Sequence, residues 1–218
     1  MKKKHILIVI ALIVIAAIAA GAVFAIRASR VQHWAFGFDR EVDPQEQQLR
    51  LDFIATAENW LDAREGSPEH MEILEIYNRF EPLAQGYIVK EEDNWCATFV
   101  STVAIQQGLT DIIPTECGCQ RQIGLFDNLG CWNEADDYIP LPGDIIYYCS
   151  EDKNPLSDCT GWSDHVGIVV GTCREYIKVI EGNCNNAVAY RYIKLDSTGI
   201  RGFAMPDYSA VLENTDNP

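Results

Sequence analysis

Apolar positions form three kinds of pattern along the 218 residues, and each predicts a different element. The first is continuous. No polar side chain interrupts residues 6–26, which follow Lys2, Lys3 and Lys4 and precede Arg27 and Arg30. About 20 apolar residues cross a bilayer as a helix, so residues 5–26 are expected to be a transmembrane anchor. Val23-Phe24-Ala25 also fits a cleavage site, which leaves a signal peptide as the other reading of the same segment. The lysines predict a cytoplasmic N-terminus at residues 1–4 and a domain facing outside, secreted if the segment is cleaved.

The second pattern has helical spacing. After a linker at 27–43, Asp43-Pro44-Gln45-Glu46 reads as an N-cap, a first-turn proline and a capping-box acid. Phe53, Ile54, Ala57, Trp60 and Leu61 then form one apolar stripe. Ser67-Pro68-Glu69 opens a second helix in the same way, with Met71, Leu74 and Tyr77 expected inward. A third helix is expected from Asp93 or Asn94 to Gly108, with Ala97, Val100 and Ala104 along one side. These early helices, 44–84, are expected to pad the core of a domain spanning 85–208.

The third pattern alternates, and it predicts strands at 144–148, 165–170, 176–181, 187–193 and 200–204, separated by Gly, Asn and Ser. Helices followed by antiparallel strands give an α+β fold, helices packed on a sheet, with the transmembrane helix added at the N-terminus. The tail at 209–218 is polar and expected to be loose. A hairpin loop at Thr172-Cys173-Arg174 would set His165 directly opposite Glu181, on one face of the sheet. It would also hold Cys173 and Cys184 too far apart to bridge.

Composition narrows the partners. A net charge of −15 argues against nucleic acid, and setting aside Lys2, Lys3 and Lys4 leaves the remainder more acidic still. Eight cysteines are many for an exported chain, and if Cys96 is a working thiol an odd number remains. Cys117, Cys119 and Cys131 match no standard zinc spacing.

Cys96 lies in the first turn of the third helix, where partial positive charge favours a thiolate. The chain has four histidines. His5 borders the apolar run, His33 lies in the linker and His70 starts an early helix, which leaves His165 as the base, with Glu181 to orient it. Spacing alone fits an inert buried cysteine as well.

Four motifs decide between these readings. Trp95-Cys96-Ala97-Thr98-Phe99-Val100-Ser101, Pro142-Gly143-Asp144-Ile145-Ile146, Asp164-His165-Val166-Gly167-Ile168-Val169 and Ile180-Glu181-Gly182-Asn183 resemble the CHAP family, the cysteine, histidine-dependent amidohydrolases/peptidases. The resemblance covers residues 85–206. It implies a papain-like α+β fold and cleavage of peptidoglycan amides. It also implies Cys96 as nucleophile, His165 as base, Glu181 as orienting acid and Asn183 in support, with Trp95 and Asp164 contacting substrate. Residues 89–93 lack the aspartate-rich loop with which some members bind calcium, so no cofactor is expected. The expected partners are peptidoglycan and, through residues 5–26, a membrane.

Overall fold

The computed structural model describes residues 36–149, 159 and 161–215. Among them are five α-helices: α1 (Pro44–Glu58), α2 (Pro68–Asn78), α3 (Cys96–Gln107), α4 (Cys119–Asn128) and α5 (Tyr208–Thr215). Six strands, β1 (Trp132–Asn133), β2 (Ile145–Tyr148), β3 (His165–Cys173), β4 (Tyr176–Glu181), β5 (Ala189–Lys194) and β6 (Ile200–Ala204), form one antiparallel sheet in the order β1-β6-β2-β3-β4-β5.

The expected fold class is corrected in its membrane part. The structure is α+β, but among the described residues no helix is long and apolar enough to cross a membrane. α1 is the longest at 15 residues, about 22 Å against the roughly 30 Å of a bilayer core. The anchor was expected at residues 5–26, which lie outside the described residues.

The helix starts follow the local chemistry. The Asp43 carboxylate accepts from the Gln45 and Glu46 amides, and Ser67 Oγ accepts from the His70 amide, each ahead of a first-turn proline. In α2 the inward face is His70, Ile73, Leu74 and Tyr77, whereas Met71, expected inside, is exposed. α3 departs further from expectation. Residues 96–104 are buried all round, because α1 and α2 cover one side of the helix and the sheet covers the other. Two of its polar members bond to other segments, Ser101 Oγ donating to Glu116 O at 2.8 Å and Thr102 Oγ1 to Ile73 O at 2.9 Å, while buried Thr98 Oγ1 has no hydrogen-bond partner among the described residues.

The alternation of each strand divides the core in two. Ile145, Tyr147, Val166, Ile168 and Ile180 join the helices, while Ile146, Tyr148, Val169, Ile177, Val179 and Phe203 pack on the opposite face. α5 runs to Thr215, into the tail expected to be loose at 209–218. Fully buried Tyr208 anchors it, packing on Phe53 and donating to Gly143 O at 2.8 Å.

The β3–β4 register corrects the expected hairpin. Its turn is Arg174-Glu175, with Arg174 at φ 58° and Cys173 paired with Tyr176. A bulge between Val169 and Gly171 then brings Ile168 opposite Ile180. Continued one step, that register sets Glu181 opposite Gly167 instead of His165. The shift from the expected pairing is two residues, so Glu181 keeps its face, diagonal to His165.

Candidate active site

The thiol comes from the helix layer. Trp95 is the N-cap of α3 and makes no side-chain capping bond, so the first amides of the helix are left for other partners at Cys96. Cys96 is 3 % exposed. Its Sγ lies 3.9 Å from Asp164 O and 3.6 Å from Cys119 Sγ, and the Ala97 amide bonds to it.

Base and acid come from the sheet. His165 opens β3 and Glu181 closes β4, so both lie at the same end of the antiparallel pair. His165 Nε2 meets Glu181 Oε2 at 3.2 Å, which leaves Nδ1 for the thiol side. Gly167 makes this diagonal contact possible. A Cβ there would sit 2.8 Å from Glu181 Cγ and 2.4 Å from Val179 Cγ1, so only a bare glycine lets the acid lie across β3. Gly182 brings the end of β4 onto α3 by the same means, since a Cβ would be 2.4 Å from Phe99 Cβ.

Two residues that sequence reasoning missed complete the row. Tyr148 pairs directly with His165 across β2 and β3, and its hydroxyl donates to Glu181 Oε1. Arg191 on β5 donates through Nε to both Glu181 oxygens, at 2.9 and 3.0 Å. Tyr148, His165, Glu181 and Arg191 thus run across four neighbouring strands on one face. Finding Tyr148 and Arg191 requires the register of all four strands, which no single motif carries.

The electrostatics favour an ion pair. The Cys119 thiol, donating to Cys96, holds the Cys96 thiol well below its ordinary value; burial opposes this and His165 reinforces it. Burial disfavours charge on His165, but the Cys96 sulfur and Glu181 overcome that and raise the imidazole to about 9. Burial also pushes the Glu181 carboxyl up, yet His165, Arg191 and Tyr148 together hold it below the usual glutamate value. These directions favour a thiolate beside an imidazolium, with a carboxylate behind the ring.

The other expected site residues have different places. Asn183, at φ 57°, donates from Nδ2 to Asn94 Oδ1 at 3.2 Å and so ties the end of β4 to the loop two residues before the nucleophile. That leaves the exposed Asn94 amide nitrogen turned away from Asn183. Asp164 offers the thiol its carbonyl. Trp95 does not present its ring to a substrate: it is fully buried, 4.6 Å from the His70 ring and edge-on to Phe99. Beside this rim a pocket of about 440 Å³ is lined by Gln85, Tyr87, Val89, Asp93, Asn94, Cys117 and Arg121.

The described cysteines include one bridge, Cys149–Cys159, while Cys173 and Cys184 are both free. Cys184 Sγ accepts from Arg191. Among the described residues no group of three or more His, Cys, Asp or Glu is placed to hold a metal ion. Compared with known proteins, the chain matches no family model, no curated protein and no solved structure.

Proposed function

We propose that the chain is a cysteine amidohydrolase that cleaves peptidoglycan amides. The observation that carries the reaction class is the Cys96 sulfur at an uncapped helix start, beside an imidazole whose far nitrogen is 3.2 Å from a buried carboxylate. The four-motif resemblance to the CHAP family supports peptidoglycan as the substrate.

In this reading the Cys96 thiolate adds to the amide carbonyl. The Cys96 amide and the Asn94 carboxamide donate to the oxyanion. His165 protonates the leaving amine, and as a neutral imidazole it then takes a proton from the water that hydrolyses the thioester. Glu181 holds the ring's orientation and favours its charged form. Arg191 and Tyr148 hold Glu181.

The test is turnover of wall material by the full chain. It should release soluble muropeptides from purified Gram-positive cell wall, and Cys96→Ala should lower the rate by about 10⁴-fold or more. Mass spectrometry of the products identifies the amide cut. Turnover of protein amides with none on any wall chemotype would replace peptidoglycan with a protein substrate. Absence of both would remove the hydrolase reading.

A further inference from the structure

Cys119 takes no part in the steps above, although its sulfur touches the nucleophile. Both residues open a helix: α3 begins at Cys96 behind Trp95 and α4 begins at Cys119 behind Gly118, and neither N-cap side chain closes its helix. Two helix starts therefore meet at two sulfurs 3.6 Å apart, with the Ala97 amide bonded to the Cys96 sulfur. Both residues are nearly buried, Cys119 at 8 % exposure. A disulfide bond is about 2.05 Å long, so the sulfurs must approach by only about 1.5 Å more.

We propose that Cys96 and Cys119 form a reversible disulfide in response to hydroperoxides, a modification that withdraws the nucleophile from hydrolysis. The withdrawal rests on Cys96 being the hydrolytic nucleophile, whereas formation of the bond does not. The Cys96 thiolate attacks the distal oxygen of a hydroperoxide, and the O–O bond breaks. A proton from the His165 imidazolium goes to the departing alkoxide or hydroxide, which leaves as alcohol or water. Cys96 is then a sulfenic acid, oxidised by two electrons. The Cys119 sulfur attacks the Cys96 sulfur, the S–O bond breaks, and the hydroxyl leaves with the Cys119 proton as water. A dithiol reductant returns the two electrons and restores both thiols.

The two sulfurs are suited to different roles. The neighbouring Cys96 sulfur, together with burial, pushes the Cys119 thiol well above its ordinary value, so it waits as a protonated resolving group while Cys96 reacts first. The surroundings fit as well. Cys149 and Cys159 are already bridged in this chain, which suits an oxidising compartment. An unprotected Cys96 sulfenate there would continue to sulfinic acid, a form that dithiols do not reduce.

The experiment is a peptide map of the full chain, titrated with hydrogen peroxide, alkylated, digested and read by mass spectrometry. The expected product is a Cys96 peptide linked to the Cys119 peptide, reopened by dithiothreitol with return of iodoacetamide labelling at Cys96. In Cys119→Ser, whose folding is checked by circular dichroism, Cys96 should instead accumulate as sulfinic acid that dithiothreitol does not reverse. Wild-type Cys96 recovered as sulfinic acid, linked to another cysteine, or unoxidised at the peroxide dose that oxidises Cys119→Ser would overturn the proposal. The wild-type map needs no substitution and no wall substrate. A linked pair in a chain without wall activity counts against the hydrolase alone, and wall activity with no linked pair counts against the disulfide alone.

Discussion

Glu181 bonds to three side chains at once, and this sets the pH behaviour of the site. His165 shares the carboxylate with Arg191 and Tyr148, yet the ring is still raised from 6.5 to about 9 despite its burial. The reacting ion pair exists above the lowered Cys96 value and below that point. As pH rises through about 9 the imidazolium loses its proton, and kcat/KM should fall there along a single alkaline limb. Glu181→Gln removes one of the two groups that hold the ring charged, so the limb should move towards 6.5. A limb that stays near 9 in Glu181→Gln would show that the carboxylate does not act on His165. Linkage gives stability the same sign. A raised histidine stabilises the fold fully below its unfolded value of 6.5, and this is lost as pH climbs through about 9.

Among elements, the β3–β4 hairpin determines whether acid and base meet. Gly167→Ala would place a methyl group against Val179 and Glu181. Overpacking of this kind costs about 1–3 kcal/mol, and here it would also push the carboxylate off the ring. A lower denaturant midpoint together with reduced kcat is the expected result; unchanged kcat in a destabilised protein would mean that the diagonal contact is dispensable. This hairpin also shows where sequence reading stops. The bounds 176–181 and 200–204 agree with β4 and β6, because β-branched and aromatic runs end at turn residues. The turn falls at Arg174-Glu175 and not at Thr172-Cys173-Arg174, because Arg174 adopts a left-handed conformation without the usual Gly or Asn. A bulge then shifts the register without any local signal. α4 has no clear apolar stripe in the sequence, because its buried face includes polar Gln122, which accepts from Tyr147 at 2.8 Å. Elimination among histidines found His165, whereas Tyr148, Arg191 and Cys119 become site residues only once the strands and helices are assembled.

For the molecule as a whole, the Pro142-Gly143-Asp144 motif links the helical layer to the sheet. Asp144 is fully buried and accepts from Arg50 Nη1 at 2.9 Å, Tyr138 Oη at 2.6 Å and the Leu141 amide at 2.9 Å. Arg50 also donates to Pro142 O and to Glu46, and stacks 4.5 Å from the Tyr208 ring. α1, α5 and the start of β2 therefore meet at one buried ion pair. Arg50→Met leaves the buried Asp144 carboxylate without a cation and should cost about 3–5 kcal/mol, whereas in Asp144→Asn the guanidinium keeps Glu46 and the cost should be smaller. In a double-mutant cycle by urea unfolding, the combined change should cost clearly less than the two single changes together; simple additivity would mean the pair is not coupled. The early helices do more than fill space, since α1 fixes the turn that launches β2 towards Tyr148.

The crowding around the Cys96 sulfur gives the reaction a direction of approach. Cys119 stands on one flank, His165 and the Asp164 carbonyl occupy others, and both Glu181 oxygens are already engaged. Exposed Asn94, bonded to half-buried Asn183, forms one rim of the site. On the proposed chemistry, a scissile carbonyl reaches the thiolate over that rim with its peptide extending towards Tyr87 and Arg121. Tyr148 and Arg191 engage Glu181 behind the imidazole and also line another pocket, of about 530 Å³.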